Sequence, residues 1–155
     1  MKKAFLILVA VFCLGFAANA QYNALGVRIG GGQGFGAELS YQKVLNDINR
    51  LEFDLGYAAG SGVKALGLSA LYQLHFDIDA VRNLGWYVGA GGRFMYSSYQ
   101  NDGALMLGVA GQAGLDYHFD AIPLQLSLDI RPCFYFWQAT AFQWGDIALG
   151  IRYMF

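Results

Sequence analysis

Apolar and polar residues alternate along most of the chain, from Asn23 to Phe155. A two-residue period is typical of β-strands, because successive side chains of a strand point to opposite faces of the sheet. Clusters of Gly, Asn, Asp and Pro interrupt the alternation and mark turns. The pattern predicts eight strands and no helix in this region. The predicted strands cover residues 23–30, 35–43, 50–58, 64–76, 84–96, 104–119, 124–136 and 146–155.

The two faces of the predicted strands differ in chemistry. One face, which includes Leu25, Phe53, Leu74 and Leu128, carries no charge, amide or aliphatic hydroxyl except at the first or last residue of a predicted strand. The other face holds glycines, short polar residues and a set of arginines and carboxylates that we expect to form a structural charge network inside a barrel. The members of this set are Arg28, Glu38, Arg50, Glu52, Asp54, Arg93, Asp116, Asp129, Arg131, Asp146 and Arg152.

Eight alternating strands fit two kinds of closed barrel, which differ in the face that points inward. A soluble lipocalin-like barrel would enclose the apolar face and carry an apolar ligand, whereas a transmembrane barrel would expose that face to lipid. The interior of eight strands is only just wide enough for side chains to fill. The glycine-rich polar face suits this space, and its balanced charges supply the partners that buried ions require. The pattern favours an all-β fold, an eight-stranded antiparallel up-and-down transmembrane β-barrel, with the soluble carrier as an alternative.

The first twenty residues have the features of an export signal. Lys2 and Lys3 precede an apolar run, which ends near the small-x-small motif Ala18-Asn19-Ala20. We expect residues 1–20 to be a cleaved signal peptide and residues 21–155 to form one barrel domain. After cleavage Cys133 would be the one remaining cysteine, which excludes an internal disulfide.

The composition excludes two further classes of protein. Of the 155 residues, 56% are hydrophobic and 14% are charged, which is unlike the polar composition of a disordered chain. The formal net charge of −1 argues against a nucleic-acid partner, because such a protein needs a basic surface. The composition instead fits a protein that is partly surrounded by lipid.

The C-terminal residues carry a more specific signal. Alternate apolar residues lead to a terminal aromatic residue, and this sequence resembles the last strand of bacterial outer-membrane β-barrels. The matching residues are Ile147, Leu149, Ile151, Tyr153 and Phe155. With its export signal and strand number, the whole chain resembles the small barrels of the outer-membrane protein X and A type. The resemblance implies that the barrel-assembly machinery reads this last strand and inserts the chain into the lipid of a Gram-negative outer membrane.

Two features depart from that family. The connections expected on the outer side, such as residues 97–103 and 137–145, are short, whereas the family usually has longer extracellular loops. Pro132 lies inside the predicted strand 124–136, where it cannot donate a hydrogen bond to a neighbouring strand. We expect a β-bulge near Pro132.

Few residues suggest chemistry. His75 and His118 begin similar turns, but two histidines without a third ligand are weak evidence for a metal site. Cys133 lies on the same face as Asp129 and Arg131, which predicts a small buried side chain. We expect no catalytic residue, no cofactor and no metal ion.

The last outer connection is unusually aromatic. Trp137, Phe142 and Trp144 indicate either a contact surface for an envelope or surface partner, or an extension of the aromatic belt at the membrane interface. The sequence predicts an integral outer-membrane protein with a plugged polar interior and a structural or surface-interaction role. A transmembrane barrel of this size is also compatible with a narrow channel or with an outer-leaflet lipid-modifying enzyme.

Overall fold

The computed structural model describes residues 23–31, 36–60, 63–99, 102–137 and 140–155. The predicted signal peptide at residues 1–20 and Phe35 of the second predicted strand lie outside the described residues. In the described part of the chain, no helix is long and apolar enough to cross a membrane. The strands are β1 (Asn23–Gly31), β2 (Ala37–Val44), β3 (Asn49–Gly60), β4 (Val63–Asp77), β5 (Leu84–Tyr99), β6 (Asp102–His118), β7 (Leu124–Ile130), β8 (Cys133–Trp137), β9 (Ala141–Gln143) and β10 (Ile147–Met154).

The strands form one closed antiparallel barrel. Each strand from β1 to β6 pairs with the next one, β6 also pairs with β7 and β8, and β10 pairs with both β7 and β1. Because β7 continues into β8, and the short β9, paired with β8, leads into β10, the barrel has eight strands, which confirms the predicted fold. We call the end that holds Asn23 and Phe155 the terminal end, and the opposite end, which holds Gly31 and Trp137, the distal end.

The seventh and eighth strands of the barrel are both interrupted at the same level. Arg131 and Pro132 separate β7 from β8, whereas three residues, 144–146, separate β9 from β10 on the facing strand. The additional residue makes a β-bulge. The structure therefore contains irregularities near Pro132 on both strands. One extra residue lies in the facing segment, and β8 itself has a register shift, because Leu107 pairs with Trp137 whereas Gly108 pairs with Tyr135. Pro132 still accepts a hydrogen bond at its carbonyl oxygen, from the Gly111 amide at 2.9 Å.

The hairpins at the distal end are longer than the sequence predicted. The turn expected at residues 97–103 is wrong, because β5 and β6 stay paired up to Tyr99 and Asp102. The turn expected at residues 59–62 is also longer than the one in the structure, since Gly60 still pairs with Val63. Residues 61–62 and 100–101 lie outside the described residues. The polar and glycine residues that suggested turns continue the strand pairing instead, because the neighbouring strands offer them ladder partners.

Apolar side chains cover the outside of the barrel. Leu39, Val109 and Leu128 are each more than half exposed, although all three lie within strands. The side chains of Arg131 and Arg152, in contrast, are completely buried. The soluble lipocalin-like alternative is therefore wrong, because it requires the apolar face to line the interior.

Glycine makes room for large side chains in the interior. A Cβ atom on Gly114 of β6 would lie 2.7 Å from the Tyr87 ring and 2.8 Å from the Asp129 Cβ atom. Gly92 of β5 points outward, and a Cβ atom there would have no heavy atom within 4 Å. The two positions form a matched pair, one packed and one open.

Replacement of Gly114 by alanine is expected to lower the free energy of unfolding by about 1–3 kcal/mol, because overpacking displaces Tyr87 or Asp129. The matched change Gly92→Ala is expected to alter it by less than about 0.5 kcal/mol. Urea unfolding of the purified protein in lipid vesicles measures both values. Equal effects of the two substitutions would show that the interior near Gly114 is not tightly packed.

Candidate functional site in the barrel interior

The charged residues singled out from the sequence all lie in the interior. None of the eleven is more than 6% exposed. They come from strands on every side of the barrel, since alternate residues of each strand point inward. Their side chains are divided between one large network and one smaller cluster.

Arg28 and Arg93 form the part of the large network nearer the distal end. Arg28 donates to Asp129 at 2.7 Å, to Glu38 at 3.1 Å and to Asp146 at 3.2 Å. Arg93 donates to Asp146 at 3.1 Å and to Glu38 at 3.5 Å. The two guanidinium groups thus share two carboxylates. This sharing ties β1, β2 and β5 to the segment that precedes β10.

Arg131 joins this part of the network to the middle of the barrel. Its guanidinium contacts Glu38 at 3.0 Å, Glu52 at 3.1 Å and Asp54 at 2.6 Å. Arg152 approaches Glu52 from β10 at 2.9 Å. Four arginines and five carboxylates are therefore linked by direct ion pairs, and we call them the central network. Its members are Arg28, Arg93, Arg131, Arg152, Glu38, Glu52, Asp54, Asp129 and Asp146.

Uncharged amides complete the environment of Glu52. The amide nitrogen of Gln42 lies 2.7 Å from a Glu52 carboxylate oxygen, that of Gln112 lies at 2.9 Å and that of Gln73 at 3.1 Å. Gln42, Gln73 and Gln112 lie on the polar parity of their strands, but they were not among the residues that the sequence pattern singled out. A buried carboxylate needs several hydrogen-bond donors. The inward-facing positions of these glutamines therefore indicated that their amides could donate to a buried carboxylate.

A smaller cluster lies near the terminal end. Asp116 contacts Arg50, accepts from Gln125 at 3.0 Å and lies 2.9 Å from Nε2 of His75. His118 is farther away, with its Nε2 3.9 Å from Asp116. The structure thus brings the two predicted histidines together, with ring centroids 6.2 Å apart. Within the described residues, no group of three or more His, Cys, Asp or Glu is arranged to hold a metal ion.

The interior also contains apolar side chains that the charge pattern did not reveal. Leu71, Ala110 and Tyr135 form a buried cluster with Cys133, the cysteine that the sequence placed in the interior. Tyr87 is fully buried and donates to Asp129 at 3.3 Å. All of them occupy positions that alternate with the outward-facing residues of their strands. The alternation therefore predicts that they point inward, although apolar side chains alone would suggest the outer face.

The outward candidates lie at the barrel surface. Trp137, Phe142 and Trp144 are exposed, with Trp144 at 70%, and the Phe142 and Trp144 rings meet edge to face at 4.6 Å. A short strand, β9, occupies part of the connection that the sequence assigned wholly to a loop. The five residues that resemble the last strand of outer-membrane barrels lie on the outward-facing positions of β10 and of Phe155, which follows it. They are Ile147, Leu149, Ile151, Tyr153 and Phe155.

Known structures share this barrel. No protein-family model and no curated protein matches the chain. The N-terminal β-barrel domain of Pseudomonas aeruginosa OprF is similar, with a TM-score of 0.65 and 19% identity over 86% of this chain and 96% of that chain. Neisserial surface protein A is similar with a TM-score of 0.59 and 18% identity over 87% of this chain and 95% of that chain. The chain has the fold of the small bacterial outer-membrane barrels.

Within this outer-membrane barrel fold, the interior is arranged to hold its own charges. Each arginine of the central network contacts at least one carboxylate at 3.2 Å or less. Removing one partner would leave the other buried without compensation, which is the costly case for an ion pair. The geometry therefore makes the interior a polar core in which the charged side chains pair with one another.

A double-mutant cycle on Arg28→Met and Asp129→Asn is expected to show strong coupling. Each single change should cost about 3–5 kcal/mol of unfolding free energy, and the double change much less than the sum. The exposed pair Arg82–Asp120, 3.5 Å apart with side chains 84% and 60% exposed, serves as the control.

The control pair is expected to couple by less than about 1 kcal/mol, because solvent screens it. Urea unfolding in vesicles measures all the variants. If the interior pair coupled no more strongly than the exposed pair, the central network would not contribute to stability as a unit.

Proposed function

We propose that the chain is an integral protein of a Gram-negative outer membrane with a structural or surface-interaction role, and that its own side chains plug its interior. The main support for this proposal is that the barrel has its apolar side chains outside and its charged side chains inside. Large apolar side chains lie outside and all eleven charged interior candidates are buried. A water-soluble barrel would gain from the opposite arrangement, since apolar surface is stabilised by removal from water.

Aromatic side chains at both ends of the outer wall support a membrane location. Phe76 and Trp86 stack near the terminal end with ring centroids 4.7 Å apart, and Phe142 and Trp144 meet near the distal end. Aromatic rings favour the two interfaces of a bilayer, where an apolar body and a polar edge are both accommodated. We assign a surface-contact role to the distal group of Trp137, Phe142 and Trp144, on the basis of their exposure.

The size of the barrel and the contacts inside it support a plugged interior. An eight-stranded barrel has room for little beyond its side chains, and open aqueous channels belong to much wider barrels. The central network spans the interior with ion pairs between β1, β2, β3, β5 and β10. Residues arranged for mutual pairing in this way favour a structural interior over a pathway for solutes.

Insertion of the chain is proposed to depend on its last strand. The apolar positions Ile147, Leu149, Tyr153 and Phe155 are exposed on the outer wall, where a partner can read them. We propose that the barrel-assembly machinery recognises this strand. The proposal is consistent with the closing position of β10, which pairs with β1.

Replacement of Leu128 by arginine tests the membrane location. Leu128 is 53% exposed in β7, and a charge facing the lipid near mid-depth is expected to cost about 2–4 kcal/mol. The matched change is Ile122→Arg, at a turn residue that is 50% exposed, which should be almost neutral. Both variants are expressed, and urea-washed outer membranes are run on gels with and without boiling.

We expect the wild type and the Ile122→Arg variant in the urea-resistant fraction, with a mobility shift on heating, and a clear loss for Leu128→Arg. A urea-extractable wild type, or equal tolerance of both arginines, would contradict integration into the membrane. The comparison isolates depth in the bilayer, because the two side chains are of similar size and almost equally accessible in the free barrel.

Planar lipid bilayers test the plug. The purified wild-type protein is expected to produce no steady ion current, since the proposed plug would block the path along the barrel axis. A reproducible current that changes with Arg93→Ala or Arg131→Ala would contradict the plug and support a narrow channel. The exposed substitution Arg82→Ala is the control, because Arg82 contacts only the surface residue Asp120 among the ion pairs of the described residues.

A further inference from the structure

The central network contains more negative than positive side chains. Four arginines face five carboxylates within it. The smaller cluster at the terminal end does not supply the missing charge, because there Arg50 is already paired with Asp116. An uncompensated buried charge is strongly unfavourable, and such a group normally becomes neutral instead.

The contacts identify the carboxylate with the least compensation. Glu38 meets three arginines, and Glu52 meets two arginines and three glutamine amides. Asp146 meets two arginines, and Asp129 receives two Arg28 nitrogens and the Tyr87 hydroxyl. Asp54 contacts Arg131 alone among the arginines, and Arg131 is shared with Glu38 and Glu52.

One oxygen of Asp54 has no donor. Its Oδ2 atom accepts from Arg131 at 2.6 Å, whereas its Oδ1 atom is buried and receives no hydrogen bond from the described residues. The Asp54 side chain is completely inaccessible to solvent. With Arg131 as its one contacting cation and no donor on Oδ1, this buried carboxylate has the least compensation in the central network.

The groups around Asp54 add no further positive charge. On β3 its neighbour is Glu52, and the facing residues are Ser40 on β2 and Ser69 on β4. Arg152 of β10 is engaged with Glu52, Ser40 and Ser127. Arg131 is thus the one cation in direct contact with Asp54 in the described structure.

We propose that Asp54 binds a proton on Oδ1 in the folded barrel at neutral pH, so that the central network is electrically neutral. The proton comes from water and no bond other than O–H is formed. Four arginines then balance four carboxylates. The interior is therefore a proton-binding site as well as a polar core, a property that goes beyond the structural role proposed above.

The pH dependence of stability tests this proposal. In the unfolded chain an aspartic acid ionises near pH 4, so that above about pH 5 the folded barrel would hold one proton more than the unfolded chain. The unfolding equilibrium constant of the wild type, divided by that of Asp54→Asn, is then expected to rise about tenfold per pH unit between about pH 5 and 7. Asparagine keeps the shape of a neutral carboxyl group and removes the titration.

Asp120→Asn is the control. The Asp120 side chain is 60% exposed and pairs with Arg82 outside the central network, so this substitution leaves the balance of four arginines and five carboxylates unchanged. The same ratio for Asp120→Asn should therefore stay constant over that pH range. A constant ratio for Asp54→Asn would overturn the proposal.

Infrared spectroscopy of the folded protein provides a second measurement that does not depend on unfolding. At neutral pH the wild type is expected to show the C=O stretching band of a protonated carboxyl group, and the Asp54→Asn variant to lack it. Persistence of the band in Asp54→Asn, or its absence from the wild type, would overturn the assignment. Stability of the wild type that depends on sodium at constant ionic strength would also overturn it, because a cation would then replace the proton.

Discussion

Closure of the sheet by pairing of β1 with β10 is the constraint on which the rest of the structure depends. Once the sheet is closed, each strand residue points either into a narrow interior or outward, and no third environment exists along the wall. Charged groups, which the apolar outer wall excludes, then share the interior. Eleven charged residues do so, and they are compatible with that space because they pair with one another and because glycines such as Gly114 leave room beside Tyr87 and Asp129. The barrel geometry and the charge network therefore depend on each other.

Arginine and glutamine divide the task of satisfying the buried carboxylates. An arginine supplies both hydrogen bonds and charge, whereas a glutamine amide supplies only a hydrogen bond. Glu52 receives both kinds of donor, from Arg131 and Arg152 and from amides such as that of Gln112. The amides therefore complete the shell of Glu52 without adding charge. The net charge of the central network is set by its arginines and carboxylates alone.

The period of two was sufficient to predict the barrel and the face that each strand residue occupies, because alternation is a local property of the chain. The partners of each side chain could not be predicted in this way. Arg28 and Asp129 are 101 positions apart in sequence, and their contact depends on the stagger of strands around the barrel. Strand ends were also misjudged where turn-forming residues gained ladder partners, as between Ser97 and Ala104. Tyr87 was overlooked because its side chain is apolar in bulk, although its hydroxyl requires a buried partner such as Asp129.

The irregular segment around Pro132 shows how a local defect is stabilised by long-range contacts. Proline cannot donate to the ladder, and the facing segment at residues 144–146 bulges beside it. The two residues next to this break are anchors of the central network. The backbone amide of Arg131 donates to the carbonyl oxygen of Asp146 at 2.9 Å, while the Arg131 side chain contacts three carboxylates and the Asp146 side chain contacts Arg28 and Arg93. Ion pairs with other strands thus hold both sides of the break, so that the ladder can lose its regularity there without opening the barrel.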